Sequence, residues 1–142
     1  MTMGLTPRNR KNLEEVLQSV SDVLFPAELG KKLVKIDSRD MTGDTPLHVL
    51  IWSKDRYGVN LLIEAGADIN AVGDRGEPPL HIAFRQKDIS IIESLLRAGA
   101  KTHITSLFGE TAVQIAARVG GPVEKTFDRH AKGTAKNRKQ RH

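Results

Sequence analysis

The sequence predicts an all-α solenoid, in which short helix–turn–helix units stack side by side and are joined by β-hairpin-like loops. Three observations lead there. First, a period of 33 residues runs through the chain: it links Gly43, Gly76 and Gly109, carries His48 onto His81 and then Gln114, and superposes Gly66-Ala67 on Gly99-Ala100. Second, Val59, Leu62 and Ile63 stand at i, i+3, i+4, and Ile92, Leu95 and Leu96 repeat that helical stripe one period later. Third, each stripe has start and stop signals. Thr45 followed by Pro46 is a helix N-cap with proline at the first helical position, and Gly66 and Gly99 stand where a left-handed C-cap is wanted. Helices this short cannot bury their apolar face alone, so units at a fixed period must stack on one another.

Taken in chain order, residues 1–39 form a degenerate N-terminal capping repeat. Leu13, Val16, Leu17 and Val20 make one helical stripe, and Pro26 to Val34 suggests a second helix ending near Ile36. Residues 40–121 carry the repeats. In the first, Leu47, Val49, Leu50 and Ile51 form a two-turn helix that ends at polar Ser53-Lys54-Asp55. Residues 122–142 form a C-terminal cap and a basic flexible tail: Gly120-Gly121-Pro122 breaks the chain, Val123 and Phe127 give a capping helix one apolar edge, and disorder is expected beyond Gly133, where no apolar anchor remains.

The segments Asp40-Met-Thr-Gly-Asp-Thr-Pro-Leu-His48, Gly73-Asp-Arg-Gly-Glu-Pro-Pro-Leu-His81 and Ser106-Leu-Phe-Gly-Glu-Thr-Ala-Val-Gln114, with Gly66-Ala-Asp-Ile-Asn70 between the first two, resemble the ankyrin repeat. The resemblance covers residues 36 to about 121. It implies that His48 and His81 are hydrogen-bonding posts tying one unit to the next. Two departures stand out. Pro78 replaces the capping threonine of the second repeat, and Gln114 replaces the motif histidine of the third.

Composition bounds the function. The 142 residues suit one domain, and a hydrophobic share of 39%, about 47% with glycine, is that of a globular chain. There is no cysteine, which removes disulfides, thiol nucleophiles and thiolate zinc sites. The net charge of +5 is unevenly placed: residues 125–142 carry +6 and residues 1–124 carry −1. A nucleic-acid footprint spread over the body is therefore not expected, and six aromatic residues leave few stacking platforms. No run of 18 apolar residues offers a membrane span, and Met1-Thr-Met-Gly-Leu-Thr-Pro-Arg8 lacks a signal peptide's apolar stretch, so the cytoplasm is the expected location. H-E-x-x-H, Walker, G-x-S-x-G and G-x-G-x-x-G motifs are absent, and no third residue type recurs beside His48 and His81. Neither catalysis nor a cofactor nor a metal is expected.

The resemblance implies a protein partner docked on the hairpin tips and the exposed side of the first helices. Counting from each motif glycine places Met41 and Thr42, Asp74 and Arg75, and Leu107 and Phe108 immediately before it. Asp44, Glu77 and Glu110 follow it, and Trp52, Arg85 and Arg118 lie nine residues on. Trp and Arg are enriched in binding hot spots, and folding is not expected to need this column. Leu107 and Phe108 put large apolar groups on a loop tip, which suggests a contact. The expected function is recognition of another protein on the concave face. Inhibition of an enzyme or toxin, immunity- or antitoxin-like, is its specific form, since in size the chain is similar to small ankyrin proteins that act so. The alternative is a nucleic-acid-associated adaptor using the basic C-terminal tail.

Overall fold

The computed structural model describes residues 11–140, with side chains described through Lys132. The N-terminal stretch from Met1 to Arg8 lies outside the described residues. Helices α1 (Leu13–Gln18) and α2 (Ser21–Leu24) form the N-terminal cap. Three helix pairs follow: α3 (Pro46–Trp52) with α4 (Arg56–Glu64), α5 (Pro79–Gln86) with α6 (Ile89–Arg97), and α7 (Ala112–Val119) with α8 (Gly121–Gln140). First helices stack in one row, α3 on α5 on α7, and second helices in another, α4 on α6 on α8. The cap closes both rows, α1 against α4 and α2 against α3. Among the described residues there is no β-strand.

The expected stripes are the core. Val59, Leu62, Ile92 and Leu95 are fully buried between the two rows, and burial of a leucine contributes about 1.5–3 kcal/mol. Val16, Leu17 and Val20 cover one end. At the other, Val123 is buried and the Phe127 ring meets Phe84 edge-on, centroids 5.9 Å apart. Both second helices close as expected: Gly66 and Gly99 adopt φ +92°, and the next N–H of each, from Ala67 and Ala100, reaches back to Leu62 and Leu95.

The second helices start on a signal hidden inside the polar stretch. Asp55 caps α4 by accepting the Gly58 N–H, and Asp88, 33 residues on, caps α6 by accepting the Ile91 N–H. The residue before each cap, Lys54 and Lys87, is left-handed at φ 60°, and Gly120 holds the third place in that column at φ 67°.

Two expectations are corrected. Pro26 to Val34 is not a helix; only Pro26–Glu28 makes a 3-10 turn, after which Leu29 and Gly30 turn left-handed at φ 49° and 75°. Gln18 then holds the following chain from across the cap, donating to the carbonyls of Gly30 and Lys32 and accepting the Val34 N–H. At the other end, α8 continues through Gly133 to Gln140, so helix occupies a stretch where none was expected.

Candidate functional site

Three loops with one hydrogen-bond pattern carry the variable positions. In each, the first residue donates its N–H to the carbonyl four residues on and accepts from the glycine three residues on: Asp40 with Asp44 and Gly43, Gly73 with Glu77 and Gly76, Ser106 with Glu110 and Gly109. Gly43, Gly76 and Gly109 sit at φ +96°, +71° and +79°, a left-handed turn that favours glycine and accounts for the period. Gly73 is a glycine for a different reason. A Cβ there would crowd the Asp44 carboxylate and lie 2.9 Å from His48 Nε2.

The loops are tied to one another. Asp44 accepts the Asp74 N–H (2.8 Å), the Leu107 N–H donates to the Arg75 carbonyl (3.0 Å), and Arg39 donates to the carbonyls of both Gly43 and Val72. Asp68 accepts the Asn70 N–H, and Asn70 accepts the Lys101 N–H. These polar groups stitch the fingers; they do not form an acid pair.

The histidines lie at the base of the loops. The Thr45 N–H donates to His48 Nδ1 (3.1 Å), the Thr45 hydroxyl is 2.9 Å from the same nitrogen, and Nε2 donates to the Glu77 carbonyl (3.0 Å). A backbone N–H can only donate, so the proton is on Nε2 and the ring is neutral. His81 Nε2 likewise donates to the Ile104 carbonyl (3.1 Å). Its Nδ1 finds no partner among the described residues, because Pro78, in the place of Thr45, has neither N–H nor hydroxyl. Burial lowers both histidines below their ordinary value, outweighing the carbonyl bonds and, for His81, the Glu77 charge. In the third unit Gln114 Oε1 accepts the Thr111 N–H (2.8 Å), and its side chain is exposed with no further loop to reach. His48 and Gln114 are therefore equivalent at their capping ends, whereas His81 shares with His48 only the bond to a carbonyl of the next unit. Among the described residues no group of three His, Cys, Asp or Glu is placed to hold a metal ion.

The candidate binding residues separate into fingertips and groove. Met41, Leu107 and Phe108 are exposed at 105%, 82% and 64%, with Thr42, Asp74 and Arg75 exposed beside them. Asp44, Trp52, Asp74, Arg75 and Glu77, with Ile82, line a cleft of about 150 Å³ between the first two fingers. Glu77 is a correction. It is buried, and its carboxylate receives Arg85 at 2.6 Å. The same pair recurs one period on, where Glu110 receives Arg118 at 2.9 and 3.0 Å; this bond lowers the Glu110 pKa and raises that of Arg118. Arg85 also stacks over the Trp52 ring, 5.9 Å from its centroid. The column expected to be free of folding duties is thus partly committed, since Arg85 neutralises a buried acid. The eight-residue spacing of opposite charges, Glu77 to Arg85 and Glu110 to Arg118, was the signal for it.

The family model for ankyrin repeats (many copies) matches residues 57–96. Over those residues the chain is similar to ankyrin repeats. That match spans the core stripes of α4 and α6 and the finger between them, which holds Arg75 and His81. A comparison with curated proteins finds no match. Ankyrin repeats are generally protein–protein interaction modules, and the family is typically non-enzymatic. Among the described residues, no helix is long and apolar enough to cross a membrane.

Proposed function

We propose that the chain recognises a partner protein through its fingertips and the groove of first helices, and acts by covering the partner's active or docking surface. The observation that carries this reading is the exposure of Met41, Leu107 and Phe108 on loops closed by their own backbone hydrogen bonds and tied to the neighbouring loop. Large apolar groups on rigid loops lose little entropy on docking and gain burial when covered. Behind them, Trp52 and Arg85 hold each other in place, so the groove presents an aromatic and a cation already oriented. An immunity- or antitoxin-like inhibitor is the specific form this takes, with an enzyme or toxin as the partner.

The test uses the full chain as bait for quantitative affinity capture, with Met41→Ser, Arg75→Ala and Phe108→Ser beside controls on the second helices, Glu64→Ala and Glu93→Ala. A partner kept by wild type and controls but lost by the fingertip variants supports the reading. Calorimetry with that purified partner should show about 2 kcal/mol or more for a true hot spot. One equivalent of the chain should suppress the partner's activity. Loss confined to the controls would place the interface elsewhere.

A further inference from the structure

Five arginines of the body are held in ion pairs. Arg56 pairs with Asp88, Arg75 with Asp74, Arg85 with Glu77, Arg97 with Glu93 and Arg118 with Glu110. On α8 the cations are aligned in a row. Lys125, Arg129 and Lys132 are exposed, and among the described residues none of them has a carboxylate within ion-pair distance. Their spacing of four and then three puts them on one helical face, and the positions of Lys136 and Lys139 continue the same spacing along the helix to Gln140. Val123, Thr126 and Phe127, which pack toward the body, define the opposite face. Asp128, the one acid after Lys125, lies about 60° round the helix from the centre of the row.

We infer that this row binds the phosphate backbone of duplex nucleic acid without reading its sequence. From Lys125 to Lys132 the helix rises about 10.5 Å at 1.5 Å per residue. One strand of duplex DNA carries a charge about every 3.4 Å of axis, or about three phosphates over that length, against three cations. The charge densities match. Insertion into an anionic membrane would need a free apolar face, and that of α8 is already spent on Phe84 and the core. Stacking on bases would need an exposed aromatic, and the one on α8, Phe127, is packed. This surface belongs to the second-helix row, away from the fingertips, and its action is independent of the partner-binding reading.

The test is fluorescence anisotropy of a labelled 20-base-pair DNA duplex of arbitrary sequence titrated with the full chain. Three phosphate contacts predict roughly a 40-fold loss of affinity between 50 and 200 mM salt. A scrambled duplex should bind equally. Combined Lys125→Gln, Arg129→Gln and Lys132→Gln should weaken binding at least tenfold with the thermal midpoint unchanged, whereas Arg75→Ala should leave it intact. If the combined variant fails to fold, the salt slope of the wild type still decides. No duplex binding at 50 mM salt overturns the inference. So does stronger binding to polyglutamate or to phosphatidylserine vesicles than to the duplex, or binding that ignores the Gln substitutions in a folded variant.

Discussion

The first and second repeat junctions share a fold and differ at the cap and in the carbonyl that the ring reaches. At the first, Thr45 supplies an N–H to His48 Nδ1 and places its hydroxyl beside that nitrogen, and the ring passes the connection on to the Glu77 carbonyl. At the second, Pro78 supplies neither group, His81 keeps only its outward bond to Ile104, and a buried nitrogen is left bare. Yet Leu62 and Leu95 are equally buried in the helices above. Apolar stacking therefore sets the period, and the polar junction adjusts stability within it.

The largest effect should come from that stacking. Leu62→Ala and Leu95→Ala should each cost about 2–5 kcal/mol in urea denaturation, by similar amounts and in one cooperative transition. A cheap substitution at either position would break the claim that both units share one core.

Next in size is the pH dependence. The folded pKa of His48 and of His81 lies below the ordinary value of about 6.5, so between the folded and unfolded values the unfolded chain binds more protons. The stability these neutral rings contribute is present above about pH 6.5 and is lost as pH falls toward the folded values, by up to about 1.4 kcal/mol per pH unit for each ring. Urea titrations from pH 7.5 to 5 check the sign; stability rising with acid would contradict it.

Exchanging the caps sharpens the comparison further. Thr45→Pro imposes the second junction on the first and should cost about 1–2 kcal/mol, because it strips the donor from a buried acceptor. Pro78→Thr should return less than about 1 kcal/mol, since the new bond is offset by the added freedom of the unfolded chain. Equal and opposite shifts would show that the backbone, not the bond, governs the cap.

The smallest effect belongs to the left-handed column. Lys54→Gly and Lys87→Gly, at φ 60°, should each raise stability by a few tenths to about 1 kcal/mol. Thermal midpoints measured side by side would show it, and a loss would mean the lysine side chains hold a contact worth more than the strain.

These positions also show what the sequence made legible. The stacked helices could be read from Leu62, Leu95 and the glycine column because their causes are local: a stripe, a cap, a turn. The extended chain after Glu28 could not, because the Gln18 side chain reaches it from another element. The fingertips could be placed by offset alone, and Met41, Leu107 and Phe108 are exposed as that offset requires. Glu77 was misplaced because an offset gives a loop position but not whether an arginine eight residues on folds back over it.

The central claim is that both histidines are neutral structural posts in one frame, and that the cap decides whether Nδ1 has a partner. Nitrogen-15 NMR of the imidazole rings at pH 7.5 tests it most directly. The account predicts Nε2–H rings at His48 and His81, a hydrogen-bonded Nδ1 at His48 and a bare Nδ1 at His81 that moves toward the His48 position in Pro78→Thr. A protonated Nδ1 on either ring, or a His81 Nδ1 already matching that of His48 in the wild type, would contradict it.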